Sequence, residues 1–431
     1  MPKAAAWMVV VLCAAGTVCG QEKSAAAPVP VPVQTETDEY TRYELLSPES
    51  SSFAIHYEVT ATAAGAKYFF NPIRKGSVAS GESVVDVMTG LPLRFEVVRG
   101  EEAAMDPLMK GEDASVDYIK VTLARPVPPQ GQARLLILKT YKDAKSYYRE
   151  GEAIVFNRTL GIPRNSVVLP AGYELVACNL PSQVLAEPDG RVAISFMNGS
   201  GAEAPLVVKA KPGAATGTQA APQAPGSAKS WEAPFEGETE RERLAERAHQ
   251  DREIVYFLQQ PETHAFSLYH DYTESRPGVD KYFNVVRMGS KVSDPSAYLL
   301  DTGEKLTTKI MTGAELAAAK IKIDEEEPVD PAAQVVVIPF SPVKAGQNMR
   351  VRISETYTAP VSYRLEGDTL VFDRSLGRPR NAVVLPEGWY LAASSIPATV
   401  TQMADGRIRL DFWNGRPDPV DVLIKAKRRT R

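Results

Sequence analysis

Residues 155–172, VFNRTLGIPRNSVVLPAG, return at 371–388 as VFDRSLGRPRNAVVLPEG, an offset of 371 − 155 = 216. The register holds without a gap from Thr140-Tyr141 against Thr356-Tyr357 to Lys209–Lys211 against Lys425–Lys427. A chain that repeats itself this closely carries the same burial instructions twice and is expected to fold as two copies of one unit. Toward the front of each copy the match thins but persists: Phe53 with Phe266, Asn71 with Asn284, Arg74 with Arg287, Gly90 with Gly303 and Gly100 with Gly313, now at 303 − 90 = 213. The difference, 216 − 213 = 3, places a short insertion after Gly313 in the second copy. The acidic run Asp324–Asp330, with Pro328, reads there as a solvated loop.

The repeat sets the domain boundaries. Copy one is expected over residues 40–211 and copy two over 253–428, in keeping with a length of 431 residues, more than one hydrophobic core usually serves. Residues 212–252 read as a linker. Its first part is rich in Ala, Gly, Pro, Gln and Ser, and a short charged helix follows from Thr239, where Thr239 and Glu242 form a capping-box pair. Charge on nearly every face of that helix predicts that it is exposed. Residues 21–39, with Pro28, Pro30 and Pro32, read as a disordered segment.

Within each copy the hydrophobic period is two. Phe53, Ile55, Tyr57 and Val59 alternate with polar or small residues, as do Ile408, Leu410 and Phe412. That is the pattern of strands with one wet face. Turn signals at Thr89-Gly90, Glu150-Gly151 and Asp189-Gly190 separate short runs, and no helical pattern is long enough for a parallel crossover. The predicted fold is all-β: two tandem antiparallel β-sandwich domains. The VVLPxGYxL run, with Asp189-Gly190-Arg191 ahead of an alternating strand, resembles exported bacterial proteins of uncharacterised function. More remotely, the strand pattern is similar to the N-terminal β-domain of M1-type aminopeptidases, and that resemblance implies no peptidase activity, because the zinc-binding HExxH helix is missing.

Lys3, the apolar stretch Ala4–Val18 and the small residues ahead of position 21 read as a signal peptide over residues 1–20. Export to the periplasm or the extracellular space is expected, with a lipoprotein acylated at Cys13 or Cys19 as the weaker alternative. No later run approaches the roughly 20 apolar residues of a spanning helix. Past the signal only Cys178 remains, and Ser394 replaces it in copy two, so the position calls for a small side chain rather than a thiol. The formal charge of −4, with acids and bases nearly balanced, argues against nucleic acid as a partner.

Chemical motifs are scarce. His264 and His270 have the even spacing of one strand face, but neither they nor the other histidines form a zinc spacing, and they read as solvent-facing polar residues. No nucleophile elbow, phosphate loop or cofactor fingerprint is present, so no cofactor is assigned. The residues with the strongest claim to a ligand are the repeated arginines and asparagines: Arg158, Arg164 and Asn165, with Arg374, Arg380 and Asn381. Guanidinium groups beside an amide form a fork for a carboxylate or a sugar hydroxyl, while the competing reading is a loop whose own carbonyls they satisfy. The sequence thus points to a secreted or periplasmic non-catalytic binding or scaffold protein recognising a protein or glycan partner. A hydrolase, or an accessory module of an exported enzyme with a site near the arginine-asparagine loops, is the alternative.

Overall fold

The structure, a computed structural model, describes residues 33–213, 246–321, 323, 329–416 and 418–429. The expected signal peptide, most of the linker, the Thr239–Glu242 cap and nearly all of the acidic loop lie outside the described residues. Copy one runs through β1 (Glu36–Leu45), β2 (Ser52–Ala61), β3 (Tyr68–Pro72), β4 (Val78–Asp86), β5 (Phe95–Val98), β6 (Tyr118–Thr122), β7 (Ala133–Lys142), β8 (Tyr147–Glu150), β9 (Ala153–Leu160), β10 (Arg164–Val168), β11 (Tyr173–Cys178), β12 (Gln183–Ala186), β13 (Val192–Met197) and β14 (Ala204–Pro212). Copy two runs through β15 (Glu253–Leu258), β16 (Ala265–Glu274), β17 (Lys281–Val285), β18 (Lys291–Leu299), β19 (Glu304–Leu306), β20 (Lys309–Thr312), β21 (Gln334–Pro339), β22 (Met349–Thr358), β23 (Tyr363–Glu366), β24 (Thr369–Leu376), β25 (Arg380–Val384), β26 (Trp389–Ser394), β27 (Thr399–Gln402), β28 (Ile408–Trp413) and β29 (Val420–Arg428). The fold is all-β, with each copy a β-sandwich.

The two copies build the same sheets. The large sheet of copy one has the order β12-β13-β10-β1-β2-β7-β4, matched in copy two by β27-β28-β25-β15-β16-β22-β18-β19. A four-stranded sheet, β11-β14-β9-β8 or β26-β29-β24-β23, covers one face, and a three-stranded sheet, β3-β6-β5 or β17-β21-β20, completes each copy. Pairing is antiparallel apart from one parallel contact in each large sheet, β1 with β10 and β15 with β25. Phe53 and Tyr57 from the large sheet, Phe156 and Leu206 from the four-stranded sheet and Phe69 and Ile119 from the three-stranded sheet meet in the core of copy one. Phe266, Phe372, Val422 and Ile338 repeat the arrangement in copy two. Gly100 and Gly313 are kept because a Cβ there would lie 2.3 Å from the Val116 carbonyl oxygen or 2.2 Å from that of Asp330, contacts that only glycine avoids.

Two boundary expectations are corrected. The strand β1 begins at Glu36, inside the segment read as disordered, and Gln34 is already tied by its backbone N–H to the Leu108 carbonyl. At the other end of the linker, residues 246–250 form a turn and not an exposed helix, with Arg247 and Ala248 buried. Glu246 accepts hydrogen bonds from Tyr40 and Ser195 of copy one, while Arg247 donates to the Asn414 and Gly377 carbonyls of copy two. Tertiary partners for charged groups outweigh the helix propensity of the sequence.

The copies are docked through buried charges. The Asp38 carboxylate of β1 reaches across to Arg350 and Arg380 of copy two. Arg134 of β7 forms a two-pronged pair with Asp301, at 2.7 and 2.9 Å, and the same carboxylate accepts the Arg350 backbone N–H. Gly131 fits against the Leu300 carbonyl, 2.3 Å from where a Cβ would sit. The planar Arg134 fork on Asp301 is the arrangement in which buried charge is tolerated.

Candidate functional site: one cleft in each copy

The six candidate residues separate into two groups. Arg164 is buried at the start of β10, and its guanidinium donates to the carbonyls of Ala248, His249 and Asp38. Arg380, its counterpart, donates to the Asp251 carbonyl and pairs with Asp38. Asn165 and Asn381 each close the preceding loop with a 2.6 Å hydrogen bond, to the carbonyls of Ile162 and Arg378. These four therefore hold backbone and join the copies. Arg158 and Arg374 are different: each leaves β9 or β24 on the side facing the large sheet and lines a cleft.

The two clefts occupy the same place in the duplicated fold. In copy one, a cleft of about 220 Å³ is lined by Tyr43, Tyr57, Asn71, Arg74, Lys139, Tyr141, Arg158 and Ile162, with Glu36 and Glu39 at one side. In copy two, a cleft of about 180 Å³ is lined by His270, Asn284, Arg287, Tyr357, Arg374 and Arg378, with Leu268 and Ile254 beneath. At the repeat offsets Asn71, Arg74, Tyr141 and Arg158 become Asn284, Arg287, Tyr357 and Arg374, so the framework is retained. Both buried guanidiniums lie over three rings: Arg158 over Tyr43, Phe53 and Tyr141, and Arg374 over Tyr256, Phe266 and Tyr357, all at 5.4–5.9 Å. Aromatic faces favour a cation held in this way.

Around that framework the chemistry diverges. In copy one Arg158 pairs with Asp143 at 3.1 Å and reaches the Ser146 hydroxyl at 3.3 Å. Lys139 donates to the Asn71 side-chain oxygen, and burial together with the Arg158 charge pushes its ammonium down to about 7. Tyr57 donates to Glu39. In copy two Asp143 becomes Ala359, Lys139 becomes Glu355, Tyr57 becomes His270 and Ile162 becomes Arg378. Arg374 Nη1, whose counterpart on Arg158 takes Asp143, is left with no hydrogen-bond partner, and its Nε, like that of Arg158, has none. Arg378 donates to His270 Nδ1 at 3.0 Å. Burial first, then the charges of Arg378 and Arg252, hold His270 well below the usual imidazole range. A neutral ring accepting at Nδ1 carries its proton on Nε2. Glu355 is bound by Asn284 at 2.7 Å, and burial raises its carboxyl.

His270 is thus only 2% exposed, which corrects its reading as solvent-facing: β15 and β22 flank its strand, and the Tyr282 ring of β17 lies 6.1 Å away. His264 is on a left-handed turn at φ 53° and contacts the Tyr363 carbonyl, so the two histidines do not meet in one site. Cys178 and Ser394 do the same work, donating to the carbonyls of Leu180 and Ile396. Among the described residues there is no group of three or more metal-ligating side chains of His, Cys, Asp or Glu, and no helix is long and apolar enough to cross a membrane.

No family model matches the chain, and no curated protein matches it. Among solved structures, it is similar to an M1 zinc metallopeptidase from Deinococcus radiodurans, with 14% identity over 42% of this chain and 42% of that one at a TM-score of 0.27. It is also similar to an aminopeptidase N family protein from Idiomarina loihiensis, with 10% identity over 40% of this chain and 29% of that one at a TM-score of 0.25. The chain spans less than half the length of either. This is the remote likeness to M1-type aminopeptidases that the strand pattern carries, and no functional statement rests on it.

Proposed function

We propose that the chain is an exported, non-catalytic binding protein that recognises a protein or glycan partner through its two clefts. The observation that carries this reading is the retention of one cleft framework in both copies while the side chains around it have changed in charge. A cleft kept only for packing needs no such exchange, whereas two binding sites for different groups do. Export rests on the reading of residues 1–20.

The test uses the full chain without residues 1–20 as bait for material from the exported fraction, beside a variant with both clefts filled, Ile162→Trp with Arg378→Trp. A partner retained by the parent chain and lost by the variant is the expected result. Retrieval of nothing above an unrelated β-sandwich, or equal retrieval by both forms, would overturn the reading.

A further inference from the structure

We infer that the cleft of copy two is a binding site for a compact oxyanion, a carboxylate or phosphate group, held by Arg374 with Arg378, Arg287 and His270. The inference rests on the proposed role of the clefts and names what one of them takes. Its starting point is the Arg374 side chain. The residue is 7% exposed, yet Nε and Nη1 have no acceptor, and no carboxylate lies within ion-pair distance of Arg374, Arg378 or Arg287 among the described residues. A buried guanidinium with unmet donors costs stability unless something from solution supplies the acceptor.

Copy one shows what that acceptor is chemically. There the equivalent guanidinium has Asp143, whose carboxylate is bound at 3.1 Å, and the Ser146 hydroxyl. Copy two keeps the same turn, with the backbone N–H groups of Ser362 and Tyr363 donating to the Ala359 carbonyl as those of Ser146 and Tyr147 do to Asp143. Within that turn Ser146 and Tyr147 are kept as Ser362 and Tyr363, while the one carboxylate, Asp143, is lost to Ala359. The internal anion of copy one is replaced by room for an external one.

The remaining lining agrees with this. Arg378, in place of Ile162, brings a second guanidinium, and Arg287 stands exposed at the mouth with one nitrogen on the Ser375 carbonyl. His270, neutral and accepting from Arg378, presents Nε2–H as a further donor. The two nearby carboxylates do not fill the role: Glu355 is engaged by Asn284, and the charge of Asp421 reaches Arg287 without an ion pair. A volume of about 180 Å³ is that of about six waters, enough for one anionic group and too little for a whole drug-sized ligand. The cleft then grips the charged terminus of something larger or a small free anion.

The experiment titrates the full chain lacking residues 1–20 with inorganic phosphate and, separately, with succinate, against sodium chloride at matched ionic strength, reading calorimetric heat and thermal stability. One saturable site and a rise in Tm with phosphate, succinate or both is expected, and the stronger of the two names the anion class. Arg374→Gln weakens binding by about tenfold or more. Ala359→Asp, which rebuilds the copy-one pair, abolishes binding and raises Tm in the absence of anion. Neither anion giving saturable heat up to about 10 mM, or undiminished binding in both variants, would overturn the inference. Loss of partner retrieval on filling the clefts, with both anions silent, sinks the anion assignment alone. Silence in both experiments sinks the cleft reading as well.

Discussion

Replacing Asp38 by Asn removes one carboxylate that two arginines of the other copy share. Its side chain is 7% exposed, and those of Arg350 and Arg380 are 1% and 12% exposed, so solvent screens the interaction little. Burial alone would raise the Asp38 carboxyl, but Arg350, Arg380 and Arg164 overcome it and hold the group well below the usual carboxylate range. Breaking a buried pair costs about 3–5 kcal/mol because the remaining charge is stranded. Arg350 keeps Asp251 and Asp271, each at 3.7 Å, which places the expected cost near the lower end, about 3 kcal/mol. With a urea m-value of about 3 kcal/mol/M for a chain of this size, the unfolding midpoint falls by about 1 M. A cycle with Arg350→Gln is expected to show a coupling of about 1–3 kcal/mol. The sign with pH follows from the lowered carboxyl: the contribution is fully present above the ordinary value of 3.8 and is lost as pH falls below it toward the folded value. An unfolding free energy for Asp38→Asn within about 0.5 kcal/mol of the parent, the range of a neutral surface change, would refute the reasoning and leave the copies joined by something other than this network.

Asp143→Ala strands Arg158 as Arg374 is stranded in copy two, and the expected cost is about 3 kcal/mol in urea unfolding, since the pair is nearly buried; no measurable loss would mean that the aromatic rings alone hold the guanidinium. Lys139, pushed down to about 7 from 10.5, binds fewer protons folded than unfolded between those values, so stability rises with pH across that window by up to about 5 kcal/mol. Lys139→Met is expected to be the more stable form at pH 7 and to flatten the rise; an unchanged slope in a pH series of urea titrations would contradict this.

Much of the architecture was legible because it repeats. Alternation placed β2, β13 and β28, and the offset of 216 paired Arg158 with Arg374 before either had a location. What was hidden is polar. Strand β1 opens Glu36-Thr37-Asp38-Glu39, which has no apolar face, because Asp38 serves the other copy while Glu36 and Glu39 stand at the cleft of copy one. Arg134, Asp301 and Arg350 look like solvated charges in sequence, and only the docking of two copies makes them an interface. The cleft was half visible: the alignment contains the change from Asp143 to Ala359, but nothing local says that Asp143, fifteen residues before Arg158, is its partner. The burial of His270 was hidden as well, since an even spacing on a strand does not tell what covers the face.

On the reading proposed above, one cleft framework serves an internal anion in copy one and an external anion in copy two. The direct measurement is arginine side-chain NMR during a phosphate titration, with the Nε–H signals assigned by Arg374→Gln and Arg158→Gln. A saturable shift of the Arg374 signal is expected while that of Arg158, paired with Asp143, stays in place. Equal movement of both signals, or movement of neither, would contradict it.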